Sequence, residues 1–399
     1  MNCRIELEKD KCCGCGTCEL VCPKGAIRMV TDECGFVYPQ IDDSLCVDCG
    51  LCKKKCAFQS GYDTRKEFEP FLGFGARHKD VDTMMNSRSG GAFVALSDTI
   101  LDSSGIIYGV GYSDDEGFYK VVHKKAYDKE SRNEFCGSKY VQSDLTGIFE
   151  DIKCQLENGK KVLFSGTGCQ VGALYKYLPK EYDNLYTIDI VCHGTPSPKV
   201  WKEFLQMREK ELHGKVTKVD FRNKGKFGWQ KHKETIWINK RPYSSKIYST
   251  LFKLGISRPA CYECVYANKN RVGDITIADF WGHENALKEL WDDDKGISLV
   301  LVNNEKGKEW WEESKKDLDW VDCTGYPFRH SNMKHPTIKS EQYDEFWDDY
   351  INHGFGYCVE KYTGHKVEKW YILKIKTYYN KIKRKIKKII KRCIYGNET

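Results

Sequence analysis

A cysteine pattern that occurs twice constrains this chain more than any other feature. Cys12, Cys15, Cys18 and Cys22 follow C-x2-C-x2-C-x3-C, with Pro23 next. The same spacing returns 34 residues later at Cys46, Cys49, Cys52 and Cys56, which marks an internal duplication of one structural unit. Zinc favours two C-x2-C pairs held apart by a longer spacer, and that is not the arrangement here. A disulfide framework belongs to short secreted chains, whereas this one has 399 residues.

The spacing suits an iron–sulfur cube, because three thiolates on one tight loop can reach three irons. The fourth cysteine of each run then serves the other cluster. This predicts one 4Fe–4S cluster on Cys12, Cys15, Cys18 and Cys56, and a second on Cys46, Cys49, Cys52 and Cys22. Ala57 stands where the first run has Pro23, which alters the chain after the second run but not its ligands. Cys13 and Cys34 fall outside the pattern and read as spare thiols.

A chain of this length makes two or three domains, and 40% hydrophobic residues suffice for a core. No run of eighteen apolar residues occurs, so no bilayer span is expected. The opening "MNCRIELEKD" is charged and has no apolar stretch, unlike a secretory signal. Twenty cysteines without such a signal point to a reducing, cytoplasmic setting. The formal net charge of +7 is unevenly spread: eleven Lys/Arg and one Glu follow residue 368, leaving a net −3 on the rest. A mildly acidic body argues against a nucleic-acid partner.

Residues 1–60 read as a two-cluster ferredoxin domain, with short strands at "CRIEL" and "FVYPQI". The polar stretch 61–70 reads as a linker. From there helix-like and strand-like segments alternate: a glycine-opened helix ending near Gly105, a strand at "IIYGVGY", then a helix ending on Gly159. "KKVLF" is a buried strand, "SGTGC" a turn and "QVGALYKYL" a helix. "LYTIDIV", "CHGTPSP" and "KVWKEFLQMREKEL" repeat that order, with Ser197 as N-cap and Pro198 at the first helical position. Such alternation predicts right-handed crossovers and a largely parallel sheet.

In both units a cysteine, Cys169 or Cys192, falls just past the carboxyl end of its strand, where open α/β sheets place ligands. Cys261 and Cys264 form a later C-x2-C pair, a pattern shared by redox dithiols, zinc sites and cluster sites. Together the four could hold a further metal. Equally, Cys169 and Cys192 could be small buried hydrophobes.

Five ordered stretches resemble the beta subunit of coenzyme F420-reducing hydrogenases and dehydrogenases: "SRSGGAF" (87–93), "GSKYVQS" (137–143), "VLFSGTGCQVGAL" (162–174), "IDIVCHGTPSPKVW" (188–201) and "CYECVYANKNRVGDITIADFWG" (261–282). They span roughly residues 70–330, and the ferredoxin-like part in front resembles the family's longer members. The resemblance implies an N-terminal part of the body at 71–150, a C-terminal part at 151–330 and an extension at 331–399. It implies bound FAD, and a third 4Fe–4S cluster on Cys169, Cys192, Cys261 and Cys264. Where the family's turn reads Gly-Thr-Pro-Cys-Gln, Gly168 replaces the proline. For the flavin it points to Ser89, Gly90 and Gly91 before a helix, to Lys139 and Tyr140, and to Ser165, Gly166 and Thr167 as a second turn. His193 is placed beside the cluster or the flavin. No catalytic base is assigned, since hydride chemistry belongs to the cofactor.

The expected architecture is a small bacterial-type two-cluster ferredoxin domain before an α/β flavin-binding body with a mostly parallel or mixed sheet. A basic amphipathic helix closes the chain, its isoleucines at helical spacing. It suits either an anionic membrane surface or docking onto protein, so the localisation is cytoplasmic or peripheral at the inner face of the membrane. The expected function is an iron–sulfur flavoprotein oxidoreductase passing electrons between its clusters, FAD and a two-electron partner, deazaflavin or another small organic substrate. The alternative is an electron-transfer subunit of a larger complex, with a redox protein as partner and no substrate of its own.

Overall fold

The computed structural model describes residues 4–60, 71–287, 291 and 293–367. The linker expected at 61–70 and the basic helix expected beyond residue 368 lie outside these. In the first 60 residues a hairpin pairs β1 (Ile27–Thr31) with β2 (Val37–Ile41) in antiparallel register, Ile27 opposite Ile41. The strand expected at "CRIEL" is absent. Residues 4–8 form no ladder, because the Glu6 backbone is satisfied by a side chain: its N–H donates to Gln59 Oε1 (2.8 Å), and its carbonyl accepts from Gln59 Nε2 (2.9 Å).

The body is built on eight strands: β3 (Leu72–His78), β4 (Ile106–Ser113), β5 (Gly117–Ala126), β6 (Val162–Thr167), β7 (Leu185–Ile190), then β11 (Ile275–Asp279), β12 (Ser298–Val302) and β13 (Leu318–Asp322). Between β7 and β11 lies a separate antiparallel sheet of β8 (Val216–Asp220), β9 (Glu234–Ile238) and β10 (Arg241–Ser245). The large sheet runs β13-β3-β12-β11-β7-β6-β4-β5. Its middle, β11-β7-β6-β4, is parallel, and the outer pairs are antiparallel. The sheet is therefore mixed rather than largely parallel. Parallel neighbours are confined to β4, β6, β7 and β11; β5 returns on β4 as a hairpin, and β3 runs antiparallel between β12 and β13, which the helix Glu305–Ser314 connects.

Alternation along the parallel strands feeds two apolar layers. Ile106, Tyr108, Val162 and Phe164 pack under the helices Ile148–Glu157 and Gly168–Tyr177. Ile107, Leu163 and Ile188 face Ala92–Asp102 and Glu305–Ser314, with Trp310 and Trp311 fully buried. This is the period-2 pattern of strands covered on both sides. Ser197 caps the helix Pro198–Leu212 with Pro198 at its start, as its sequence predicts.

A third core gathers Trp201, Phe204, Phe221, Tyr248 and Trp347. The helices Tyr343–His353 and Phe355–Thr363 complete it, so this part of the C-terminal extension is integral to the body. The ferredoxin-like part is seated against the body on both flanks. Phe58 and Ala57 join the first layer and Phe36 the third core, while Tyr266 donates its hydroxyl proton to the Ala57 carbonyl at 2.7 Å. No helix among the described residues is long and apolar enough to cross a membrane.

Candidate metal centres and the adjoining cavity

The eight cysteines of the duplicated motif converge in two places. Cys12, Cys15, Cys18 and Cys56 line one small cavity; Cys22, Cys46, Cys49 and Cys52 line another. In each, three thiols come from one loop and the fourth from the other. Gly16 and Gly50, both left-handed, start the short helices that carry Cys18 and Cys52. The second cavity lies at the surface, with Cys49 exposed beside the exposed Val47.

A third group of thiols forms at the carboxyl edge of the parallel strands. Thr167 of β6 pairs with Ile190 of β7, and two residues beyond each come Cys169 and Cys192. The expected glycine turn is shorter than its sequence suggests: Ser165, Gly166 and Thr167 are still strand, and Gly168 already opens the helix. Thr167 and Gln170 close a capping box there, which fixes Cys169 in the first helical turn. Cys192, Cys261 and Cys264 face Cys169 across a cavity of about 40 Å³. The loop bearing Cys264 is tied to β7 by an ion pair between Arg271 and Asp189, both almost wholly buried. Arg271 also donates to the Tyr266 carbonyl at 2.9 Å.

These sulfurs accept from the chain around them. The Gly194 N–H donates to Cys192 Sγ (3.3 Å) and the Thr195 N–H to Cys261 Sγ (3.4 Å). The Thr167 hydroxyl lies 3.2 Å from Cys169 Sγ. Burial pushes the thiols of Cys18, Cys192 and Cys261 up, those of Cys56 to about 11 and Cys264 to about 12. Thiols so placed stay protonated unless a metal takes the proton's place. Donors aimed at buried sulfur, with no carboxylate or imidazole in the set, make a soft all-sulfur environment of the kind iron–sulfur clusters use.

Two residues stand at the junction and were not picked out by spacing. Cys13 lines both the first and the third thiol cavity and hydrogen-bonds Cys15 and Cys169, which raises its own pKa and lowers theirs. Arg258, three residues before Cys261, lies in the third cavity wall and reaches back to Cys12. Cys34, the other thiol outside the motif, stands apart with Asp32 and Glu33.

Beyond the third group lies a larger cavity, about 280 Å³. Thr167, Ile190, Cys192, Gly194 and Thr195 line both, so one wall separates them. Of the residues singled out in the sequence, Ser89, Gly91, Lys139, Tyr140, Ser165, Gly166, Thr167 and His193 line this cavity. Gly90 does not. A Cβ there would sit 2.1 Å from the Ala76 carbonyl oxygen, so this glycine lets the chain pass close to β3. Lys139 is turned to the protein: Nζ donates to the Glu134 carbonyl at 2.6 Å, and burial holds its pKa down to about 8. Tyr140 stacks on Phe252 at 5.5 Å.

The same cavity collects Arg88, Arg222, Asp279, Trp281 and His330, which no local spacing marks. Arg222 pairs with Asp279 and lies 5.4 Å over the Trp281 ring. Ser87 Oγ, Arg88 Nε, Arg222 Nε and His330 Nδ1 are buried without a hydrogen-bond partner. Four such atoms on the wall of one cavity are the mark of a polar ligand site, since buried polar groups otherwise find partners.

The family model for the C terminus of the coenzyme F420 hydrogenase/dehydrogenase beta subunit matches residues 159–321, and a 4Fe-4S binding domain matches residues 5–28. Residues 159–321 thus match the C-terminal part of this family of beta subunits. The family match covers the segment from β6 to β13, which includes all four thiols of the third group. Among curated proteins, the F(420)H(2) dehydrogenase of Methanosarcina mazei has a subunit, named F, that is 23% identical over 301 residues, 69% of this chain and 78% of its own. An uncharacterized ferredoxin of Methanocaldococcus jannaschii is 39% identical over 56 residues, 14% of this chain and 71% of its own. The N-terminal part is thus a 4Fe–4S-binding ferredoxin region. Among solved structures, a chain of the F420-reducing [NiFe] hydrogenase complex of Methanosarcina barkeri aligns with a TM-score of 0.45 at 17% identity, covering 64% of this chain and 84% of that one.

Proposed function

We propose that this protein is an iron–sulfur flavoprotein that moves electrons between a ferredoxin module, residues 1–60, and a two-electron partner bound at the body, residues 71–330. In this reading Cys12, Cys15, Cys18 and Cys56 hold one 4Fe–4S cluster, and Cys46, Cys49, Cys52 and Cys22 a second. Cys169, Cys192, Cys261 and Cys264 hold a third. The large cavity takes FAD, with Ser89, Gly91, Tyr140, the Ser165–Thr167 strand end and His193 around it, and Arg88 and Arg222 supplying positive charge for its anionic part.

The observation that carries this reading is the unbroken adjacency of the sites. Cys13 borders the first and third thiol cavities, and Thr167 and Cys192 border the third and the large one. Flavin, when bound, supplies the exchange between single electrons and a hydride. The chain's own part is to align the sites, exclude water and hold the cofactors' charges. Deazaflavin coenzyme F420 is the first substrate to try, because the F(420)H(2) dehydrogenase relative aligns over 69% of this chain.

Iron and flavin content of protein purified without oxygen tests this. About twelve irons and one FAD per chain, from three four-iron cubes, is the expected result. About eight irons and no flavin would overturn the third site and the flavin together.

A second reading is favoured by the same relative, which is one subunit in a dehydrogenase. Here the chain feeds a partner protein through the exposed Cys49 and Val47 face and has no substrate of its own. Turnover of deazaflavin by the isolated chain with an artificial electron donor would count against it.

A further inference from the structure

Arg258 is 1% exposed, and among the described residues no carboxylate pairs with it. Its neighbours are backbone oxygens, sulfur and aromatic faces. Nε donates to the Cys12 carbonyl at 2.6 Å, Nη1 to Gln142 Oε1 at 3.0 Å, and Nη2 to the Val37 carbonyl and towards Cys12 Sγ at 3.7 Å. The guanidinium lies 4.2 Å over the Tyr38 ring and 5.4 Å over Phe36.

The chain is shaped to admit this charge. Gly14 has φ of +71°, and a Cβ there would fall 2.6 Å from Arg258 Nη1; only glycine satisfies both the backbone angle and the space. On its other side the Arg258 N–H donates to Thr195 at 3.1 Å and its carbonyl accepts from Cys261 at 2.9 Å. The residue is therefore built into both thiol groups.

A buried charge with no counter-ion is costly, and neutral carbonyls and rings only soften that cost. A thiolate-bound iron–sulfur cube is anionic and gains one more negative charge on reduction. Net charge near a cluster and hydrogen bonds to its sulfurs set its potential, and both act here through one side chain.

We propose that Arg258 is the positioning residue that sets the potential of the inner ferredoxin cluster: its buried charge stabilises the reduced form of the cluster on Cys12, Cys15, Cys18 and Cys56 and raises that cluster's potential. This rests on the reading that these thiols hold clusters. The outer thiols, Cys22, Cys46, Cys49 and Cys52, have no contact with Arg258, so their potential is independent of it. The charge thus acts on the inner cluster, the one beside the third site.

The test is a potentiometric titration with dithionite, followed by electron paramagnetic resonance, on full-length protein with its iron content measured first. Wild-type protein without iron would overturn the cluster reading itself before any variant is made. With iron present, Arg258→Gln is expected to lower the inner cluster's potential and leave the outer one where it was. Arg258→Lys, which keeps the charge, is expected to stay close to wild type. Gln142→Glu places a carboxylate against the guanidinium at an almost unchanged shape, and is expected to lower the inner potential as Arg258→Gln does. Should Arg258→Gln fail to fold, Gln142→Glu decides. Unmoved potentials in every iron-replete variant would overturn the inference, as would a fall in Arg258→Lys as large as in Arg258→Gln, which would assign the effect to geometry rather than charge.

Discussion

Cys13 of the first ferredoxin loop and Cys169 of the helix that follows β6 line one cavity, where their thiols are near enough to shift each other's pKa in opposite directions. The contact brings a residue outside the ferredoxin motif into the space between two groups of thiols. It also sorts the two spare thiols of that region, since Cys34 has no place in either cavity.

If Cys13 bridges rather than ligates, Cys13→Ala should retain the iron content of the wild type and cost about 1 kcal/mol of stability, the ordinary size for a buried single substitution. Iron analysis and a denaturant titration under anaerobic conditions check both numbers. A loss of about four irons would instead make Cys13 a ligand.

The third group should be separable from the other two. Cys192→Ala or Cys261→Ala is expected to remove about four irons of about twelve while the ferredoxin signals persist, because the ferredoxin thiols occupy different loops. Iron content and low-temperature electron paramagnetic resonance read the difference. An unchanged iron count would leave these cysteines as buried hydrophobes.

The Arg271–Asp189 pair fastens the Cys264 loop to the sheet. Arg271→Met strands the Asp189 carboxylate there and is expected to cost about 3–5 kcal/mol. Replacing Asp189 by leucine as well should recover part of it, because the uncompensated charge is then gone. Urea unfolding of both variants makes the comparison.

Acid should destabilise the protein through His123. Its ring is fully enclosed, with Nδ1 3.0 Å from the Ser143 hydroxyl and Nε2 3.2 Å from the Ser165 carbonyl, and burial lowers its pKa to about 4. The unfolded chain binds this proton near pH 6.5. Between those two values the unfolded state therefore carries more protons, so stability falls as pH drops from about 6.5 to about 4. His123→Gln should flatten that limb of the stability–pH curve, measured by unfolding midpoints at constant ionic strength.

The parts legible in the sequence are those whose geometry is local. Three thiols of each run sit within seven residues, so one tight turn brings them together, and spacing alone announces the two groups of thiols and even the exchange of the fourth between them. The β6 and β7 units are legible for the same reason: strand, turn and helix are contiguous, and Ser197–Pro198 is a cap written in two residues. Where local signals compete with distant partners they mislead. "CRIEL" has a strand-like composition, yet Gln59 takes up the backbone of Glu6. Gly90 and Gly91 look alike, yet Gly90 is held to a close approach by the Ala76 carbonyl, whereas Gly91 takes the left-handed turn that starts the helix.

What the tertiary structure alone decided is the company each group keeps. β3 comes from far off in the chain and runs antiparallel between β12 and β13, a choice fixed by the apolar faces they bury and invisible to periodicity. Cys13 and Arg258 carry no pattern of their own, since a single thiol or cation has no period to detect. Their roles arise from burial: a proton shared among sulfurs and a charge without a carboxylate acquire meaning only when folding removes water and brings Cys12, Cys169 and Cys261 together around them.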